Sequence, residues 1–223
     1  MTFGYTYDIW LVGLSYVVAV LSSYISILII KRFLSLPKGM PKNVWHLAGA
    51  VTLGGGIWSM HFVAMLAMQM NMEVLYDSEL TVISILFSII ASGFVYWFIS
   101  NFDNSLKNLL LAGTVLGASI GGMHYTGMAA MQMNAVIYYN PFIFAASIVV
   151  AVFLSTVSVW LIYFNRGNNF KLNLKIITAL VMGLAVSLMH YTGMAATNFI
   201  SVPAQLLSGF TMSGQQLPWF VGR

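Results

Sequence analysis

The sequence predicts an all-α membrane protein: six transmembrane helices arranged as three pseudo-repeated pairs, with the N-terminus outside. Three observations predict it. Hydrophobic residues make up 60% of the 223-residue chain and charged residues only 6%, against roughly 25% charged in a soluble domain. Six apolar runs are each long enough to cross a bilayer, which takes about 20 residues. One histidine-centred motif is written three times, in every second run. This composition excludes a water-soluble globule and a disordered tail. With no cysteine, it also excludes a disulfide scaffold and a zinc-thiolate site. The net charge of +4 does not mark a nucleic-acid surface, because the basic residues sit in short connections between apolar runs.

The six runs are Ile9 to Ile30, Val44 to Met70, Leu80 to Ser100, Leu109 to Met133, Pro141 to Phe164 and Leu174 to Asn198. None alternates with period two, so an outer-membrane barrel does not fit. The first run is no secretory signal, since it lacks a basic leader, exceeds a signal's apolar core and runs into Lys31-Arg32. The connections after the first, third and fifth helices hold Lys31, Arg32, Lys38, Lys42, Lys107, Arg166, Lys171 and Lys175, with Asp103 the only acid. The N-terminal segment and the connection after the second helix hold Asp8, Glu73, Asp77 and Glu79 and no base, and the fourth connection is uncharged. The excess of Lys and Arg marks the cytoplasmic side. An even number of helices returns residues 199–223 to the outside, where they form either a lid over the outer face or the start of a seventh helix.

The repeat is explicit. Met123-His124-Tyr125-Thr126-Gly127-Met128-Ala129-Ala130 recurs letter for letter as Met189 to Ala196, and Met60-His61-Phe62-Val63-Ala64-Met65 is a looser copy. Ala67-Met68-Gln69-Met70-Asn71 recurs as Ala130-Met131-Gln132-Met133-Asn134. The histidines are 63 and 66 residues apart, the length of one helix pair. The repeats therefore cover about 9–72, 80–135 and 141–198, within a domain spanning 1–198. A helix pair returns the chain to its starting side, so the repeats are parallel and related by a pseudo-threefold axis along the membrane normal. The motif lies in the second helix of each pair, about 8 to 10 residues from its outer end. If the even-numbered helices line the axis, three imidazoles converge there in the outer half of the bilayer.

A polar ring in hydrocarbon is costly and faces the bundle interior or a cavity. Three at one depth in one motif point to a shared ligand role, with hydrogen-bonded packing as the bland alternative. Residues four apart share a helix face, so His61 pairs with Met65, His124 with Met128 and His190 with Met194. Met68 and Met131 extend that face at seven residues, and Met60, Met123 and Met189 lie about 100° round from their histidines. Most of the 15 methionines are flexible core filler. Imidazole with thioether suits copper, since thioether is soft and selects Cu(I) while imidazole serves both oxidation states. A hard-cation site lacks its oxygen ligands. Zinc on three histidines is chemically possible but leaves the methionines without a role, and haem held by two axial ligands fits a threefold repeat poorly.

Gly113, Gly117 and Gly121 form a GxxxGxxxG run suited to close helix approach. Gly127 and Gly193, with Ala64 as counterpart, serve tight packing or clear space for a bound ion or ligand. Tyr125 and Tyr191 follow their histidines while Phe62 does so in the first repeat, so a hydroxyl there is not required of every unit. His46 reads as an interfacial residue. Glu73, Asp77 and Glu79 read as a solvated loop or a weak cation funnel.

The motifs Met123-His124-Tyr125-Thr126 and Met189-His190-Tyr191-Thr192, with Met60-His61-Phe62-Val63 where a first copy belongs, resemble the signature of the MHYT domain family of bacterial integral membrane sensors. The resemblance covers residues 9 to 198. It implies a sensory input module of the bacterial inner membrane. The family is proposed to bind copper through its motif Met and His residues and to sense a diatomic gas such as oxygen, carbon monoxide or nitric oxide. In many members a seventh helix leads to cytoplasmic GGDEF and EAL domains that make or degrade cyclic di-GMP. Two departures stand out: Phe62-Val63 in place of Tyr-Thr, and an end before any seventh helix or output domain. Two other functions compete. A metal-dependent membrane enzyme would need a carboxylate or lysine base that the spans do not offer. A copper carrier would need ligands across the bilayer, whereas only Met40 and Met182 lie toward the cytoplasm.

Overall fold

The computed structural model describes residues 2–37, 42–70, 72–164 and 172–201. Lys38, Met40, Arg166, Lys171 and residues 202–223 of the tail lie outside them. Six long helices, α1 (Ile9–Ser35), α2 (Asn43–Ala67), α3 (Ser78–Asn101), α4 (Leu106–Ala129), α5 (Pro141–Phe164) and α6 (Leu172–Ala195), are each long and apolar enough to cross a membrane. They form a ring in chain order, α6 closing on α1, while α2, α4 and α6 also touch one another at the centre. The even-numbered helices therefore line the axis, as the repeat requires. Their inward side is a continuous apolar core, with Leu53, Ile57, Leu116, Ile120, Met182 and Val186 as successive layers. Large apolar side chains such as Leu14, Ile90, Phe142 and Phe153 cover the outside, where lipid rather than water solvates them.

The sequence extends the even helices too far. They stop at Ala67, Ala129 and Ala195, not at Met70, Met133 and Asn198. The reason is backbone pairing. Each even helix runs into a short strand that pairs antiparallel with the strand preceding the odd helix of its own repeat. β3 (Met68–Gln69) pairs with β2 (Thr6–Tyr7), β5 (Met131–Gln132) with β4 (Leu75–Tyr76), and β7 (Thr197–Ser201) with β6 (Ala135–Tyr139). β1 (Thr2–Phe3) adds to the free edge of β7. Ladder bonds satisfy backbone groups that continued helix would otherwise use. The histidines consequently lie five or six residues from their helix ends, about 8–9 Å at the helical rise, closer than the spacing suggests.

The strand-helix-helix-strand unit is closed by one recurring bond. The amides of Asp8, Asp77 and Asn140 donate to the carbonyls of Ala67, Ala130 and Ala196 at 2.9, 2.8 and 2.8 Å. The same three residues cap the odd helices. Asp8 accepts from the amides of Trp10 and Leu11, Asp77 from Leu80, and Asn140 from Phe142 and Ile143, satisfying amides that a helix start leaves open. Asp77 is thus a helix cap.

The threefold also explains the glycines. Gly54, Gly117 and Gly183 each lie seven residues before a motif histidine and let an even helix press on the next odd one. A Cβ on Gly54 would meet the Ile89 backbone at 2.5 Å, one on Gly117 the Val152 backbone at 2.4 Å, and one on Gly183 the Val20 side chain at 2.6 Å. Close approach, the packing reading of the GxxxGxxxG run, is what Gly113 and Gly117 provide, against Thr156 and Val152.

Candidate metal centre

His61, His124 and His190 project from α2, α4 and α6 and meet on the axis, with relative exposures of 0%, 0% and 1%. Their Nδ1 atoms form a nearly equilateral triangle: 3.1 Å from His61 to His190, 3.2 Å from His124 to His61, and 3.2 Å from His190 to His124. The rings stand close to perpendicular, with centroids 5.0, 5.1 and 5.0 Å apart. Among the described residues this is the one group of three or more His, Cys, Asp or Glu side chains arranged to hold a metal ion.

Hydrogen bonding does not account for the triangle. A ring nitrogen either carries a proton or offers a lone pair. Three nitrogens at mutual contact can therefore satisfy at most two of their three edges, and any remaining edge sets like against like. A metal ion satisfies all three. Sides of 3.1–3.2 Å place each nitrogen about 1.8 Å from the triangle's centre, close to the usual 2.0–2.1 Å of a metal–imidazole bond, so His61, His124 and His190 would fit a metal ion. With a metal on the three Nδ1 atoms, the proton of each neutral ring would sit on Nε2. All three Nε2 atoms are buried without a hydrogen-bond partner. The carboxylate or carbonyl that usually orients a metal-bound imidazole is thus missing, and packing orients the rings instead. Gly127 lies against His61 and Gly193 against His124, where a Cβ would come within 2.5 Å of Nε2 in each case. These glycines make room for the neighbouring repeat's histidine, not for a separate ligand.

The methionines divide. Met65, Met128 and Met194 are buried together with Met131 and Phe199 under the strands, with Met68, Met70 and Met133 packed against them. This thioether layer lies one helical turn outside the histidines. Met68 and Met131 belong to strands β3 and β5, so they do not continue the helix face on which the sequence places them. Met60, Met123 and Met189 join the main apolar core on the other side.

The residue after each histidine points to the next repeat. Tyr191, Phe62 and Tyr125 pack edge-on against Tyr7, Tyr76 and Tyr139 at 5.7, 5.4 and 5.2 Å. The phenols of Tyr7, Tyr76 and Tyr139, carried on β2, β4 and β6, are pushed up from their ordinary value chiefly by desolvation against the neighbouring side chains, so they stay protonated. Sequence reading missed this second triad. Its signal is a Tyr-Asp or Tyr-Asn pair ahead of every odd helix, visible once the odd helices are aligned as the even ones are. His46 is not part of the centre: its Nε2 bonds the Gly93 carbonyl at 2.8 Å and its ring stacks on Tyr96.

The family model for MHYT, the bacterial signalling protein N-terminal repeat, matches residues 54–112 and 117–173. The chain belongs to the MHYT family. Both matches begin at the glycine seven residues before a motif histidine, so the family repeat is the structural unit read from a different starting point. The chain is 39% identical over 195 residues to the bifunctional diguanylate cyclase/cyclic di-GMP phosphodiesterase MucR of Pseudomonas aeruginosa, covering 87% of this chain and 28% of that protein. It is 37% identical over 204 residues to the cyclic di-GMP phosphodiesterase NbdA of the same organism, covering 89% and 25%. It is 36% identical over 197 residues to the signaling protein YkoW of Bacillus subtilis, covering 87% and 24%. The chain thus spans about a quarter of the length of these relatives. No solved structure matches it. It is a multi-pass MHYT sensory domain whose relatives are signalling proteins, two of them named for cyclic di-GMP turnover.

Proposed function

We propose that this MHYT domain is a copper-binding sensory input module of the bacterial cytoplasmic membrane, reading a diatomic gas or redox state and signalling to a cytoplasmic output such as cyclic di-GMP turnover. The observation that carries the reading is the triangle of three buried Nδ1 atoms, a donor set that an ion satisfies and hydrogen bonds do not. His61, His124 and His190 would hold the ion, and Met65, Met128 and Met194 supply a soft thioether layer beside it that favours copper over zinc. Copper on such a site supplies reversible binding of small ligands and a one-electron change of state. The protein's part is to keep water out and to tie the site to helix packing. Each ligand comes from a different central helix, so any change in the preferred ligand geometry moves α2, α4 and α6 relative to one another. Signalling requires two packings of these helices that bind the sensed ligand with different affinity. The relatives' names, a cyclase and phosphodiesterases of cyclic di-GMP, support an output domain of that kind in the full protein or a partner.

Elemental analysis of detergent-purified protein beside its His190→Ala variant tests the reading. The expected result is about one copper per chain, lost in a variant that stays helical and monodisperse. Zinc in its place would favour the metal-enzyme reading, and no metal in either protein would remove the copper reading.

A further inference from the structure

Phe62 breaks the repeat, and the structure shows what replaces it. Seven residues after each odd-helix cap stands a fully buried serine: Ser15, Ser84 and Ser147. Each hydroxyl donates to the carbonyl three residues back, Val12, Thr81 and Phe144, at 2.7 Å in every case. The proton is spent there, so each oxygen has only lone pairs left and can bond across to another helix only by accepting from an external donor. In two repeats the tyrosine after the motif histidine supplies it: Tyr191 donates to Ser15 at 3.0 Å and Tyr125 to Ser147 at 2.8 Å. Phenylalanine cannot donate. On α2 the indole Nε1–H of Trp58 donates to Ser84 at 3.1 Å instead. Trp58 lies one turn below Phe62, with ring centroids 4.6 Å apart. The corresponding positions in the other motifs are Gly121 and Ser187, neither of which reaches across.

We propose that Trp58 is a positioning residue for the histidine triangle, standing in for the tyrosine that the first repeat lacks. The three ties, Tyr191–Ser15, Trp58–Ser84 and Tyr125–Ser147, join each central helix to the next outer helix beside its motif histidine. Because no polar group holds the three Nε2 atoms, ring orientation depends on how these helices are held. The tie on α2 therefore fixes His61 in register with His124 and His190. Its effect on metal affinity rests on the copper reading; its effect on His61 does not.

The test uses the full chain in lipid nanodiscs, with Trp58→Phe, Ser84→Ala and the double variant Trp58→Phe/Phe62→Tyr. Two readouts are taken: copper affinity by chelator competition, and the histidine 15N resonances of the metal-free protein. Loss of an orienting partner typically weakens metal binding by 10–100-fold, so Trp58→Phe and Ser84→Ala are each expected to weaken copper binding roughly 10-fold and to move the His61 resonances more than those of the other two rings. Adding Phe62→Tyr places a phenol where Tyr125 and Tyr191 carry theirs, and should restore both readouts. The proposal is overturned if either single variant lowers only the melting temperature, with affinity and the His61 resonances unchanged, or if the folded double variant restores neither. If the wild type takes up no copper, the copper reading fails and the His61 resonances of the metal-free protein decide the role of Trp58 on their own.

Discussion

Replacing Gly117 by alanine isolates the contact that sets the radius of the bundle. The added Cβ would lie 2.4 Å from the Val152 Cα and 2.5 Å from its nitrogen, where ordinary contact is 3.4–4 Å. Both atoms are backbone, so no side chain can rotate away, and α4 must separate from α5 by about 1 Å. Overpacking of this kind costs about 1–3 kcal/mol, while Gly to Ala in a helix returns up to about 1 kcal/mol. Gly55 is the matched control, because a Cβ there meets nothing within 4 Å and the propensity term is the same. The difference between Gly117→Ala and Gly55→Ala is then the packing cost alone, about 1–3 kcal/mol. At about 2–4 °C per kcal/mol for a chain of this size, the two variants should melt about 6 °C apart in one detergent. Gly121→Ala should fall between them, since its nearest obstacle is the tip of the Ile148 side chain. Equal melting temperatures for Gly117→Ala and Gly55→Ala would refute the close approach of α4 and α5.

Other variants probe the repeat and the centre. His124→Ala removes one of three equivalent donors, and metal content measured after purification should fall to the level of His190→Ala. Stripping the wild type with a membrane-permeant chelator should lower its melting temperature, by about 2.7 kcal/mol of linkage for metal held at 100 times its dissociation constant, and reloading should restore it; an unchanged melt would show that no ion is bound in the folded state. Asp77→Ala loses the bond from the Leu80 amide, 2.9 Å in length, and should cost about 1 kcal/mol in a thermal melt. Asp77→Asn should be close to neutral, because Asn140 performs the same task in the third repeat.

Much of this architecture is legible in the sequence because a bilayer leaves few choices. Six long apolar runs have to be helices, and an exact motif copied at one helix pair's spacing has to be a rotational repeat. The convergence of His61, His124 and His190 follows from those two facts. What the sequence conceals is local competition at the helix ends. Met68, Met131 and Thr197 continue the apolar run and read as helix, yet the strands ahead of the odd helices capture their backbone groups. The glycines beside the histidines are equally opaque. Gly127 and Gly193 serve a ring from the neighbouring repeat, and only the handedness of the assembly says which one. Trp58 is hidden for another reason: its role is visible only where a serine on a different helix has already spent its proton.

X-ray absorption at the copper edge of the metal-loaded protein in nanodiscs tests the central claim most directly. Three buried imidazoles converging through Nδ1 predict a first shell dominated by nitrogen at about 2.0 Å, with imidazole multiple scattering that disappears in His124→Ala. A shell of oxygen donors alone, or one unchanged by that substitution, would contradict the assignment of the metal to the histidine triangle.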